Sequence, residues 1–213
     1  MISLKETFMS SFSQIMGTQR ILPIIQSDDI AAGVKAAGIM QETGLNVIEV
    51  VLRSPIALEM LREIKLQYPD MVVGAGTITH RQILEEALAV NADYIITPTI
   101  SPGLLRDLEA CPVSVLPGVS VMSDILQAVE FGYSELKLFP ASIAGGAPFL
   151  QAVNAVFPNV KFCPTGGVSQ ENKATFLDLP NVFAAGGTWL AKKDTLIAGD
   201  WDAVRAACLA AQV

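Results

Sequence analysis

The chain has 213 residues, of which 51% are hydrophobic and 16% charged, which suits one large closed core and excludes a disordered protein. With 21 acidic against 14 basic residues the net charge is −7, so a broad nucleic-acid footprint is disfavoured and a few local cations must do any anion binding. No apolar run approaches the roughly 18 residues needed to cross a bilayer, and no membrane partner is expected.

The first segment, MISLKETFMSSFSQIM, alternates polar and apolar residues at helical spacing and lacks the continuous apolar core of a secretion signal. It predicts an N-terminal helix over residues 1–17 in a cytoplasmic protein. From there short β-branched runs alternate with amphipathic segments every 20 to 26 residues or so, as in successive βα units. Eight runs read as strands: Ile21 to Gln26, Asn46 to Leu52, Met71 to Ala75, Tyr94 to Thr97, Ser114 to Pro117, Glu135 to Phe139, Lys161 to Pro164 and Val182 to Gly186. Several are nearly continuous apolar stretches, as strands buried on both faces should be.

Between them the 3.6-residue period is clear. Ala57, Leu61, Ile64 and Tyr68 share one face, as do Ile83, Leu84, Ala87 and Leu88, and Met122, Ile125, Leu126 and Val129. Ser54-Pro55 and Ser101-Pro102 read as an N-cap followed by proline at the first helical position, with Ser169 and Asp200 as further caps. No linker or low-complexity tract divides the chain. The predicted fold is therefore one α/β domain over residues 1–213, a (β/α)8 TIM barrel with an extra N-terminal helix and its active face at the strand C-termini. A doubly wound sheet is the alternative.

The chemistry centres on ELKLFP, where Lys137 sits inside an apolar strand with nothing acidic facing it along that strand. An amine desolvated without a counter-charge is driven towards its neutral form, which can attack a ketone and form a Schiff base; the structural alternative is a lysine reaching into solvent from a strand end. In NVIEVVLRS, a period of two directs Glu49 and Arg53 to one side, taken as the barrel interior. Glu49 there could transfer protons, or could form a structural ion pair with Arg53 or Lys137. Arg53, at the strand end, suits a substrate carboxylate. Gly74 to Thr77, GAGT, would let backbone approach a ligand and put the Thr77 hydroxyl at the rim. Pro98, in ITPT, caps a strand edge of the site or simply forms a turn.

PTGG at Pro164 to Gly167 and AGGTW at Ala185 to Trp189 place Gly166, Gly167, Gly187 and Thr188 in the loops after strands seven and eight, where barrels of this kind often hold phosphate. His80 is the only histidine, which removes a His-rich metal site and a Ser-His or Cys-His triad. Cys111, Cys163 and Cys208 are too widely spaced for a CxxC pair and read as reduced core residues.

With these residues in view, the chain from about Arg20 onward resembles the 2-dehydro-3-deoxy-phosphogluconate aldolase family. LPII, NVIEVVLRS, VVGAGT, ELKLFPAS, FCPTGGV and AGGTWL occur in family order and at family spacing. The resemblance implies Lys137 as the Schiff-base nucleophile, Glu49 as general acid/base, and Arg53 with Thr77 on the pyruvyl portion. It implies Thr165 as an influence on stereochemistry, Pro98 and Phe139 around the reacting carbons, and Gly166, Gly167, Gly187 and Thr188 at the phosphate. It also implies a homotrimeric barrel acting on a phosphorylated keto acid, with no cofactor or metal, and a second activity on 4-hydroxy-2-oxoglutarate. Thr97-Pro98-Thr99 and Ser142 depart from many members and resemble the sister enzymes for the phosphogalactonate epimer, whereas Thr165 points to the gluconate. A phosphosugar isomerase and a non-catalytic phosphometabolite-binding barrel are the alternatives.

Overall fold

The computed structural model describes residues 11–213. Of the predicted N-terminal helix, α1 covers Phe12–Met16 and is closed by a capping box in which the Ser11 hydroxyl accepts from the Gln14 N–H; residues 1–10 of that prediction lie outside the described residues. Every strand that follows is parallel to its neighbours. In chain order the elements are β1 (Ile21–Ile25), α2 (Ile30–Glu42), β2 (Val47–Val51), α3 (Ala57–Gln67), β3 (Val72–Gly76), α4 (Arg81–Ala89), β4 (Tyr94–Ile96), α5 (Pro102–Leu108), β5 (Ser114–Leu116) and β6 (Gly118–Val119). They continue as α6 (Met122–Glu130), β7 (Glu135–Leu138), α7 (Gly146–Val156), β8 (Lys161–Pro164), α8 (Lys173–Leu177), β9 (Ala185–Gly187), α9 (Lys193–Ala198) and α10 (Trp201–Ala211).

The strands form a six-stranded sheet in the order β5-β4-β3-β2-β1-β9 and a three-stranded sheet β6-β7-β8. Neighbours are consecutive in sequence until the chain end meets the chain start at β9 and β1. A doubly wound sheet would instead reverse its strand order at a switch point, and no reversal is present among the described residues. The fifth predicted strand is interrupted at Pro117, which has no N–H to give a ladder; its carbonyl still accepts from the Lys137 N–H at 2.8 Å. The eighth prediction, Val182 to Gly186, is shifted: β9 begins at Ala185, and Val182 makes only an isolated bridge to Phe162.

Alternation along the strands produces two apolar layers. Ile25, Ile48, Val73, Ile95, Leu136 and Phe162 join the helices' Leu61, Leu84, Ile125, Leu150 and Val204 in one cluster. Leu22, Val47, Tyr94, Leu116, Cys163 and Ala184 form the other, with Phe12 and Met16 of α1. Phe12 meets the Tyr94 ring edge-on at 4.9 Å, and the Ser13 N–H donates to Glu135 at 2.9 Å where β7 begins. Thus α1 seats at the N-terminal end of the strands, leaving their C-terminal ends open.

Three sequence expectations change. Ser54 does not cap α3, which starts three residues later after a turn, with Ile56 preceding it and no side-chain cap. Ser169 likewise does not cap α8, which starts four residues later after a turn, with Asn172 preceding it and no side-chain cap. Leu126 and Val129 of α6 are exposed while Ala128 is buried, so the packed face is rotated from the predicted stripe. Ser101 and Asp200 do cap their helices, and the lone His80 caps α4 by accepting from the Ile83 N–H. None of the described helices is long and apolar enough to cross a membrane.

Candidate active site

Lys137 stands on β7 with Gly118 and Cys163 as its register partners on either side. Glu49 stands on β2, across the inner face. The Lys137 Nζ lies 3.0 Å from Glu49 Oε1 and 3.2 Å from Oε2, and the side chains are 4% and 0% exposed. The expectation of a lysine without a counter-charge is therefore corrected: the nearest acid comes from a strand 88 residues away in sequence. Of the alternatives for Glu49, pairing with Arg53 is absent and pairing with Lys137 is present. A desolvated amine touching a carboxylate at both oxygens has a proton acceptor within one hydrogen bond, the arrangement that nucleophilic attack by an amine requires.

The room for that carboxylate comes from Gly76. A Cβ built there would lie 1.9 Å from Glu49 Oε1, and one built at Gly74 would lie 1.8 Å from the Tyr94 ring. Both glycines of the GAGT stretch thus accommodate side chains, a different role from the expected backbone approach to a ligand. Tyr94, whose hydroxyl donates to the Ile48 carbonyl, fills the floor beneath the pair. Burial holds its hydroxyl well above its usual range. Cys163 beside Lys137 is also kept neutral: burial chiefly pushes its thiol up to about 12, Lys137 opposing and Glu49 adding. Its sulfur is a wall of the site and not a second nucleophile.

At the strand ends Arg53 leaves the sheet into solvent and donates from Nε to Thr77 Oγ1 at 3.1 Å, leaving the two terminal guanidinium nitrogens for a ligand carboxylate. Thr77 has φ 69°, a left-handed backbone rarely taken by a β-branched residue; such strain clusters where a side chain must be aimed. The Phe139 ring lies 5.4 Å from Lys137 Nζ and 5.8 Å from Arg53 Cζ, between the two cations.

A cavity of about 160 Å³ opens here, reaching from Arg53, Lys137 and Phe139 to the two glycine loops. Thr165, Gly166, Gly167, Gly187 and Thr188 all line it. Gly166 and Gly167 have φ 91° and 78°, which turns their backbone as few other residues could. Thr165 is buried, donates to the Cys163 carbonyl at 3.4 Å and bridges to Gly186. Pro98 does not line this cavity; its carbonyl group packs on Gly118 instead, 2.4 Å from where a Cβ would stand. Gln26 does line it, although the sequence reading does not single it out. The available signal was its parity, since Leu22, Ile24 and Gln26 alternate onto the inner face. Another cavity, about 180 Å³, lies beside Phe12 and Glu135 at the opposite end and has no part in the Lys137 group.

Fold and site define the class: a parallel α/β protein that holds a buried lysine–glutamate pair on the inner face of its strands, beside a cavity at their carboxyl ends. The KDPG and KHG aldolase family model matches residues 12–207. The 2-dehydro-3-deoxy-phosphogluconate aldolase of Pseudoalteromonas atlantica is 38% identical over 184 residues, 86% of each chain. The KHG/KDPG aldolase of Escherichia coli is 35% identical over 195 residues, 92% of each. Among solved structures, a KDPG aldolase from Legionella pneumophila, with pyruvate captured at low pH as a covalent carbinolamine, superposes with a TM-score of 0.91. It is 31% identical and covers 95% of this chain and 98% of its own. The chain belongs to the KDPG and KHG aldolase family.

Proposed function

We propose that the protein is a Schiff-base aldolase that cleaves 2-dehydro-3-deoxy-6-phosphogluconate to pyruvate and D-glyceraldehyde 3-phosphate, and 4-hydroxy-2-oxoglutarate to pyruvate and glyoxylate. The observation that carries this reading is the buried Lys137–Glu49 pair, with 3.0 and 3.2 Å contacts, opening onto a cavity that ends in glycine loops. Glu49 takes a proton from the Lys137 ammonium, and the neutral amine attacks the C2 ketone. Glu49 returns the proton to the carbinolamine oxygen, water leaves, and the protonated imine becomes the electron sink. The carboxylate then removes the C4 hydroxyl proton, the C3–C4 electron pair flows into the imine, and the aldehyde departs. Glu49 protonates C3 of the enamine, and water releases pyruvate and restores the amine. Arg53, fixed by Thr77, holds the C1 carboxylate, Phe139 packs beside the imine, and Gly166, Gly167, Gly187 and Thr188 receive the phosphate. Pro98 is left with a role in shaping the backbone around Gly118.

This reading includes one closed eight-stranded barrel as a single domain, supported by the pairing of β9 with β1 and by the isolated Thr165 to Gly186 bridge between β8 and β9. It also includes a cytoplasmic homotrimer, for which exposed Val121, Leu126 and Val129 on and beside α6 are the supporting surface. Thr165, buried at the cavity wall, favours the gluconate over the galactonate epimer. The test is treatment with pyruvate and borohydride followed by peptide mass spectrometry. One reduced pyruvyl group on the Lys137 peptide is expected; an adduct elsewhere refutes the assignment of Lys137, and no adduct at all refutes the reading and favours an isomerase or a binding barrel.

A further inference from the structure

Gln26 follows β1, and β1 lies in the sheet between β2, which carries Glu49 and leads to Arg53, and β9, which ends at Gly187 beside Thr188. Adjacent strands are about 4.8 Å apart, so Gln26 stands one strand from the proton-transfer end and one strand from the phosphate end. By period two it shares the inner face with Leu22 and Ile24, one step nearer the mouth, and it lines the cavity with Lys137 and Arg53. The other polar lining side chains are largely engaged: Lys137 with Glu49, Arg53 with Thr77, and Thr165 with the Cys163 carbonyl. The Gln26 amide makes none of the hydrogen bonds found among the described residues and is half-buried.

The geometry points to Gln26 as a specificity-determining residue that hydrogen-bonds the hydroxyl on the carbon between the cleaved bond and the phosphate. Resting on the proposed function, the assignment follows from matching the substrate's order of groups to the order of strands. The C4 oxygen belongs at Glu49 on β2, the C6 phosphate at the glycine loops after β8 and β9, and C5 falls opposite β1. A primary amide carries both a donor and an acceptor, as a hydroxyl does. A phosphate or carboxylate offers only acceptors, which the glycine-loop N–H groups and Arg53 already meet. A site built to bond a hydroxyl discriminates against a substrate lacking it, because its own polar group is then left unpaired.

The test runs the reaction in the condensation direction, with pyruvate and either D-glyceraldehyde 3-phosphate or 3-oxopropyl phosphate, which has the same length and charge but lacks that hydroxyl. In the wild-type protein kcat/KM should favour glyceraldehyde 3-phosphate by about tenfold or more, and Gln26→Leu should collapse that ratio towards one. Gln26→Met, unbranched and equally apolar, gives a second reading should the leucine perturb the fold, and each variant is taken through a thermal melt first. An unchanged ratio in folded Gln26→Leu or Gln26→Met overturns the assignment while leaving the aldolase reading intact. Failure of the wild-type protein to trap pyruvate with borohydride overturns both.

Discussion

Replacing Gly76 by alanine should displace the Glu49 carboxylate, the proposed proton-transfer group, by volume alone. The new methyl would begin 1.9 Å from Glu49 Oε1, 2.7 Å from Cδ and 2.9 Å from Cγ. To reach ordinary contact at about 3.4 Å the carboxylate must retreat by roughly 1.5 Å, yet Glu49 is fully buried and its partner Nζ is held at 3.0 to 3.2 Å. Gly76 is not in a left-handed conformation, so the substitution acts through volume and not through the backbone. A misplacement of about 1 Å costs on the order of 10² in rate, and loss of a general acid/base group costs roughly 10² to 10⁴. We therefore expect kcat for keto-acid cleavage, followed by pyruvate release, to fall about 100-fold. Overpacking should also cost about 1–3 kcal/mol of stability, a fall in Tm of several degrees that still leaves a folded protein at 25 °C. The cycle is closed with Glu49→Ala: once the carboxylate is gone the methyl has no clash, so Gly76→Ala should cause little further loss of kcat in that background. Activity of Gly76→Ala within about threefold of wild type, or a full additive loss on top of Glu49→Ala, would refute the steric argument.

Glu49→Gln keeps the shape of the pair but removes its basic oxygen; it should still trap pyruvate with borohydride, more slowly, while cleavage falls by roughly 10² or more, and near-full cleavage would demand another base. Gly167→Ala puts a methyl on a backbone of φ 78° and 2.1 Å from the Ser142 hydroxyl oxygen, so kcat/KM should drop more for the phosphorylated substrate than for 4-hydroxy-2-oxoglutarate, and equal losses would contradict a phosphate role for that loop. Lys173 is the other buried lysine among the described residues, with Nζ donating to the carbonyls of Ala210, Ala211 and Val213 at 3.1, 2.6 and 2.8 Å; Lys173→Met should cost about 2–3 kcal/mol by chemical denaturation without moving the pyruvate adduct, and adduct loss would show that it serves the site. Burial raises Cys163 to about 12 and Cys208 to about 11 from 9.0, and Tyr133 to about 12 from 10.0. Because the unfolded chain releases these protons first, the associated stability is whole below about pH 9 and is lost as pH rises towards 12; a melting temperature flat across that range would contradict it.

Much of the site was legible in one dimension because strands and helices advertise their faces locally. The apolar setting of Lys137, the parity of Glu49 with Arg53 and the paired glycines after the last two strands are properties of stretches shorter than ten residues. So was Asp200 as a cap, since a carboxylate three residues before a free helical N–H meets it through local geometry alone. Neighbouring signals of the same kind misled at Ser54 and Ser169, where a turn follows the serine and the helix starts only after it, out of reach of the serine hydroxyl. The α6 stripe was read one step off because Leu126 and Val129 match the helical period as well as Ala128, and only packing chooses between such faces.

What no local pattern contained is the register between strands far apart in sequence. That register joins Lys137 to Glu49 across 88 positions, sets Gly76 against the carboxylate so that a side chain there would collide with it, and lays β1 between β2 and β9 so that Gln26 reaches the cavity wall. The physical reason is that the amino-acid order determines which way each side chain leaves its own strand, whereas the group it meets there is determined by hydrogen-bonded ladders and core volume, and those exist only once the sheet has been assembled.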